Sequence, residues 1–417
     1  MPPDRTILLI SYYFPPLGMG GVGRPLALYK YLPESGYKVR VLTVKNILYP
    51  EYDYSLLEGI DAANVIRTDS FDPARLLYLL GLRNTMALDT SGIRSLSRRR
   101  RPDSKRGWHF FALRKAEEII KREKIDAVIT TSPPPSSHLL GLKLKEKFNI
   151  RWVADFRDLW FSLPIEQVYA HPADQAYALD LKKMIIERAD EVVSVNNDIR
   201  RYLGRGEVIM NGADIETARL WEGPKARSDD RLVIGLLGTI NYLCPIEPLL
   251  KGISALIKAD SKWKERLSII HVGHCAKEAI ASISRHGLED IIRRKGYLPK
   301  GEAIKAMADC DLLYLAVEKF GGYNILPGRI FDYLISGKPI LGVVAKDSDA
   351  AALLHEYPLG TVIPPEKSEL IARHLEEMAG RPKIIDRSPK LDEHIKLKYS
   401  SITTAKKYAA LLDRVLK

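Results

Sequence analysis

Residues 323–341, YNILPGRIFDYLISGKPIL, gather an amide, an arginine and a carboxylate around a helix start. Pro327 and Gly328 favour a turn, residues 329–336 space Ile330, Phe331 and Leu334 as a helix does, and Gly337, Lys338 and Pro339 stop it. A helix that begins just after such a turn presents backbone N–H groups and the positive end of its dipole to an anion. Arg329 adds a forked cationic donor, so phosphate is the anion this stretch suits. Asn324 and Asp332 supply polar groups eight positions apart, at the two ends of the same loop and helix. On local physics the stretch also reads as an ordinary helix-to-strand connection.

Three further stretches carry chemistry. PPLGMGGVGRP, residues 15–25, contains Gly18, Gly20 and Gly23 in GxGxxG order after an apolar strand, a backbone able to approach phosphate closely. The dinucleotide reading is weaker, because two prolines intervene and the second strand ends at Lys45 and Asn46 without a ribose-binding acid. TTSPPPSSH, residues 130–138, runs from a strand through a rigid proline loop to a helix that begins near Ser136. VADFRDLW, residues 153–160, ends a buried strand in Asp155, Arg157 and Asp158, where open α/β sheets bind ligands. The alternative for those three charges is a structural salt-bridge knot between Arg157 and the two aspartates.

Two patterns suggest metal weakly. His271, His274 and Cys275 in HVGHC lack a fourth ligand at zinc spacing, which favours packed or loop residues. Asp347, Ser348 and Asp349 form a DxD, but Ser348 or Asp349 can equally cap the next helix.

The elements that must position these residues alternate strand and helix, the pattern of a parallel α/β protein. Strands are expected at residues 7–11, 39–44, 127–130, 152–155 and 191–195, then at 232–238, 267–272, 312–316 and 340–344. Two sheets follow, with hydrophobic periodicity fading across residues 212–230. Residues 401–417 place Ile402, Ala405, Tyr408, Ala409, Leu412 and Leu416 on one stripe, so this last helix should dock.

At 417 residues and 46% hydrophobic content, the chain can bury two cores. Three unpaired-looking cysteines argue against a disulfide framework and suit a reducing cytoplasm. The apolar run at residues 7–14 follows Asp4 and precedes two prolines, so it reads as a strand rather than a signal peptide. No run approaches the roughly twenty apolar residues of a membrane span.

The net charge is +12, with Arg94, Arg98, Arg99, Arg100, Arg101, Lys105 and Arg106 clustered between LLYLLGL at 76–82 and Trp108, Phe110 and Phe111. Residues 94–111 thus suit an anionic membrane surface, or form a solvated basic loop. No nucleic-acid module accompanies them, so nucleic acid is not expected as a partner.

Taken in order, the glycine loop at 18–24, the SPP loop at 132–135, ADFRD at 154–158, NGAD at 211–214, GLLGTI at 235–240 and LPGRIFDYLISGKPIL resemble the GT-B retaining glycosyltransferases of family four. The SPP and DFRD versions are similar to those of bacterial enzymes that build surface polysaccharides or glycolipids. The resemblance implies two Rossmann-like α/β domains facing across a cleft, with the carboxyl-terminal helix crossing back to the first. The expected bounds are 1–215 for an acceptor domain, 216–230 for a linker, 231–395 for a nucleotide-sugar domain and 396–417 for the returning helix.

The resemblance further implies a donor site of Gly238, Thr239, Asn324, Pro327, Gly328, Arg329 and Asp332. Acceptor or phosphate contacts fall on Gly20, Gly21, Arg24 and His138, and the catalytic group is Asp155, Arg157, Asp158 and Arg329. No cofactor or metal is implied. The substrates are a nucleotide-sugar donor, with a UDP-sugar favoured, and a glycan or lipid-linked acceptor. The location is cytoplasmic, peripheral on the inner face of the membrane. The family's paired acids fall on Asn324 and Asp332, so the first carboxylate is an amide here, with Glu318 a possible stand-in. A nucleotide-sugar epimerase of the same fold and a non-catalytic surface-binding protein remain the alternatives.

Overall fold

The computed structural model describes residues 5–82, 102–160, 171–221, 231–320, 322–380 and 393–417. The chain forms two compact units, one of residues 1–211 with 401–417, the other of residues 212–400.

The first unit is built on a seven-stranded sheet in the order β3-β2-β1-β4-β5-β6-β7. Its strands are β1 Arg5–Ser11, β2 Tyr37–Val44, β3 Val65–Thr68, β4 Ala127–Ser132, β5 Arg151–Phe156, β6 Glu191–Ser194 and β7 Glu207–Val208. Every pairing is parallel, and Ile7 to Ser11 of β1 lie beside Ala127 to Thr131 of β4. Helices cover both faces of such a sheet, which is why β1 and β4 read as unbroken buried runs rather than alternating ones. The order reverses between β1 and β4, so the loops leaving their carboxyl ends splay apart and open a crevice.

The second unit repeats this plan with six strands in the order β10-β9-β8-β11-β12-β13. These are β8 Leu232–Leu237, β9 Leu267–Val272, β10 Ile292–Arg294, β11 Leu312–Ala316, β12 Ile340–Val343 and β13 Gly360–Ile363, again all parallel. Its switch point lies between β8 and β11. The four strands absent from the sequence expectation, β3, β7, β10 and β13, are short edge strands, whose partial burial leaves little apolar signal.

The carboxyl-terminal helix, Ser401–Val415, belongs to the first unit. Tyr408, Ala409, Leu411 and Leu412 pack with Leu28, Tyr37 and Val39, and Ala405 with Ala27 and Tyr31; of the expected stripe Ile402 and Leu416 are only partly buried, and Leu411 is added. Each fully buried leucine contributes about 1.5–3 kcal/mol, so this docking is not marginal.

Residues expected as a linker at 216–230 behave otherwise at their start. Ile215–Trp221 is a 3-10 helix that packs on the helix Lys300–Ala308, with Trp221 buried, and so is part of the second unit. Residues 222–230 lie outside the described residues. Likewise the expected final element at 396–417 is two helices, Glu393–Lys398 in the second unit and Ser401–Val415 in the first. No described helix is long and apolar enough to cross a membrane.

Close packing behind the first sheet can be tested at Gly141. A Cβ there meets Trp152 Nε1 at 2.1 Å, and that Nε1 donates to Thr130 Oγ1 at 2.8 Å. Gly141→Ala is expected to lower unfolding free energy by about 1–3 kcal/mol through overpacking. Urea unfolding followed by tryptophan fluorescence checks it; an unshifted midpoint refutes the contact.

Candidate functional site

In the first unit, the loops after β1, β4 and β5 converge because their strands are neighbours across the switch point. The loop after β1 leads through the 3-10 turn Gly20–Val22 into the first helix, Gly23–Tyr31. Met19 has φ 65°, a left-handed conformation that costs a side-chain-bearing residue energy.

Arg157, leaving β5, stitches two of these loops together. Its Nε donates to Ser132 O and its Nη1 to Gly21 O, each at 2.7 Å. Nη2 is buried with no hydrogen-bond partner. Burial depresses the guanidinium pKa, and the carboxylates of Asp155 and Asp158 oppose that shift. An arginine that has spent two donors on backbone and holds a third unsatisfied beside Gly20 and Gly21 is arranged to receive an anionic or hydroxyl oxygen. Asp158 is exposed one residue further on.

Asp155 is placed differently from the expectation. Its carboxylate is fully buried and takes a forked pair from Arg24, Nε to Oδ2 at 3.1 Å and Nη2 to Oδ1 at 3.0 Å. Thr131 Oγ1 donates to Oδ2 at 2.7 Å. Arg24, expected to meet the acceptor, is itself 4% exposed. Its remaining donors go to Tyr408 Oη at 2.6 Å, Ile209 O at 2.6 Å and Asn211 Oδ1 at 3.2 Å. Burial works against the Arg24 charge, yet Asp155 and Tyr408 hold its pKa above the ordinary value. Asp155 is thus held in a buried ion pair, with Arg24 rather than the Arg157 of the sequence reading as its direct partner.

His138 is also a core residue. It has no exposure, its ring lies 4.2 Å from that of Phe156, and Nδ1 is 2.8 Å from Thr130 Oγ1. Burial lowers its pKa to about 3. Its Nε2 is buried with no hydrogen-bond partner, as is Arg157 Nη2.

In the second unit, β8 ends at Gly238, whose φ of 94° is one that glycine adopts without strain. Gly238 O accepts from His271 Nε2 at 2.9 Å, and a Cβ on Gly273 would meet that same oxygen at 2.3 Å. This close seam of backbone explains both glycines. His271, read in the sequence as a weak metal ligand, instead fixes the turn. Arg329 braces the other side, with Nη1 donating to Leu237 O at 2.7 Å and Thr239 O at 3.3 Å. Its Nε is buried without a partner. Gly238, Thr239 and Arg329 line a pocket together with Cys244, Pro245 and Tyr314.

The helix expected at 329–336 is Arg329–Leu334, preceded by half-buried Pro327 and exposed Gly328. Asn324 is 8% exposed. Asp332, expected to position a donor, is buried and ion-paired with Lys300. No sequence signal marked Lys300, because the pair is formed between helices 32 positions apart. Tyr408 was visible only as one member of an apolar stripe. Ser348 caps the helix Asp349–Glu356 by accepting from Ala351 N at 3.1 Å, the capping alternative for the DxD. Among the described residues, no three His, Cys, Asp or Glu side chains come together as a metal site.

Two outcomes follow from the buried groups. Asp155→Ala leaves Arg24 charged and unpaired in the core, so unfolding free energy should fall by about 3–5 kcal/mol in denaturant melts; a neutral effect refutes the knot. For His138, the folded pKa of about 3 lies below the unfolded 6.5, so the unfolded chain binds more protons between these values. Its contribution is present above about pH 6.5 and is lost as pH falls toward 3. His138→Phe should flatten that part of the stability profile, measured by denaturant midpoints across the same window.

Comparison with known proteins agrees with this architecture. Residues 20–213 match the model of the glycosyl transferase 4-like domain. The probable glycosyltransferase WbjE of Pseudomonas aeruginosa is 26% identical over 162 residues, which span 38% of this chain and 36% of that protein's length. The fold is similar to that of sucrose-phosphate synthase from Thermosynechococcus elongatus, with TM-score 0.66, 15% identity and 99% of both chains covered. It is also similar to a UDP-forming trehalose-phosphate synthase from Burkholderia xenovorans in complex with glucose-6-phosphate. There the TM-score is 0.62 and identity 11%, over 98% of this chain and all of that one. At these identities the structural likeness is one of fold. Residues 20–213 thus match a glycosyl transferase 4-like domain, and the two parallel α/β units share the fold of these sugar-phosphate synthases.

Proposed function

We propose that this chain is a retaining glycosyltransferase that moves a sugar from a nucleoside diphosphate to a hydroxyl acceptor. The observation that carries the reading is the Gly238 turn braced by Arg329, whose Nη1 is spent on the turn while Nε is buried and unpartnered. Such a turn at a sheet's switch point suits a diphosphate, and its N–H groups and guanidinium suit the charge that develops as the diphosphate leaves.

In this mechanism the bond between the sugar's anomeric carbon and the diphosphate oxygen breaks with its electron pair going to that oxygen. The acceptor oxygen forms the new bond on the same face, and its proton passes to the departing phosphate oxygen. Arg329 and the N–H groups of residues 238–239 stabilise the leaving group. Asp332, neutralised by Lys300, adds no net repulsion to the anionic donor. Gly20, Gly21, Arg157 and Asp158 are the groups assigned to the acceptor.

A UDP-sugar is the favoured donor, supported by the UDP-forming enzyme of similar fold. The acceptor class is a glycan or lipid-linked sugar of the cell surface, handled at the inner face of the membrane. That part rests on the sequence resemblance and on the likeness to WbjE.

Arg329→Ala should lower sugar transfer by about a hundredfold or more while the thermal midpoint moves little. Full transfer in that variant removes Arg329 from the mechanism. Free nucleotide released only when acceptor is added separates a transferase from an epimerase, which releases none.

A further inference from the structure

The first unit carries an apolar face that neither core absorbs. It begins at Phe71 (54% exposed) and follows the helix Pro73–Leu79 through Leu76, Leu79 and Leu80, the last 79% exposed. Leu76, Leu79 and Leu80 have helical spacing of three and four, so they share one side. Phe110, 61% exposed, joins them from the start of the helix His109–Arg122. Its ring is 6.2 Å from Phe71, and Phe111 packs between at 4.7 Å from Phe71.

This face is held in place rather than loosely tethered. Phe71 N donates to Gly107 O at 3.1 Å. A Cβ on Gly107 would meet Asp72 N at 2.5 Å, so the two segments touch backbone to backbone. Beneath them Asp72 is fully buried and accepts from Tyr12 Oη at 2.6 Å, with Lys105 Nζ at 3.8 Å. Trp108 Nε1 donates to Thr68 Oγ1 at 2.8 Å. A protein that uses buried polar bonds to fix leucines and phenylalanines in water is displaying them to something.

Charge identifies the partner. Arg106 and Arg114 flank Phe110 at four-residue spacing and are exposed, as is Lys121 one heptad beyond Arg114. Residues 73–82 and 104–116 contain no acid, and the next two, Glu117 and Glu118, are ion-paired with Lys147 and with Lys115 and Arg122. In sequence, the chain between Leu82 and Pro102 adds six arginines against Asp89. Exposed leucine and phenylalanine beside arginine, with the nearest carboxylates on that helix already ion-paired, match the apolar interior and anionic headgroups of a lipid surface; a protein partner's face of this size would be expected to meet mixed charge.

We infer that Phe71, Leu76, Leu79, Leu80 and Phe110, with Arg106 and Arg114, dock the first unit on an anionic bilayer surface. This deepens the peripheral-membrane part of the proposed function and rests on that reading only for the lipid-linked acceptor. The contact differs from the sequence expectation of residues 94–111, because the described apolar face lies on both sides of the arginine-rich stretch.

The test is co-sedimentation of the full chain with phosphatidylcholine vesicles, with and without phosphatidylglycerol. Binding is expected only with phosphatidylglycerol and should weaken as salt rises. The variant Leu79→Glu, Leu80→Glu, Phe110→Glu should lose partitioning by roughly tenfold or more, and Arg106→Gln with Arg114→Gln should reduce both binding and its salt dependence. Wild-type protein left in the supernatant, or a triple variant that pellets unchanged, overturns the inference. So does a wild-type dimer that the triple variant dissociates without any vesicle binding, since a second copy then covers the face. Thermal protection by UDP, measured without vesicles, reads the donor site separately, so failure of either proposal is recognised by itself.

Discussion

Arg24 and Asp155 form a forked ion pair that is almost wholly out of water, and much of the first unit is organised around keeping it satisfied. A buried charge left alone costs several kcal/mol, so every donor of Arg24 must find an acceptor. They find Asp155 on β5, Tyr408 on the last helix, and Ile209 O and Asn211 just before the chain enters the second unit. One side chain from the first helix thereby fixes the middle of the sheet, the exit of the first unit and the returning carboxyl-terminal helix. The pair specifies which arrangement is native more than it adds stability, because its attraction largely offsets desolvation.

That knot also decides which neighbouring groups remain usable. With Asp155 consumed, the polar groups left among the described residues at the carboxyl edge of the first sheet include the glycine backbone, Arg157 with an unsatisfied nitrogen, and exposed Asp158. The second unit follows the same logic at its own switch point. His271 and Arg329 hold the Gly238 turn from two sides, and Lys300 compensates the charge of Asp332. In both units an arginine braces backbone carbonyls and keeps one buried nitrogen without a partner.

Much of this was legible along the chain. Central strands such as β8 and β11 are buried on both faces, so they appear as continuous apolar runs. The edge strands β3, β10 and β13 are not, and they escaped notice. The docking stripe of the last helix was readable because burial on one side imposes a helical period, and Leu411 was missed because it widens that stripe. Gly238 was placed near a site by motif, although its close backbone approach to Gly273, between the ends of β8 and β9, involves residues 35 apart in sequence.

Sequence alone determined the class of architecture, the order of motifs and the presence of charged groups at strand ends, since these depend on local periodicity and residue type. Tertiary structure decided which charges pair. Arg24 with Asp155, and Lys300 with Asp332, join residues 131 and 32 positions apart. Pairing over such distances is set by strand order and helix docking, and hydropathy or spacing carries no record of it. For the same reason spacing alone did not show that His138 is enclosed by Phe156 and Trp160 while Arg157 ties two loops through Ser132 O and Gly21 O.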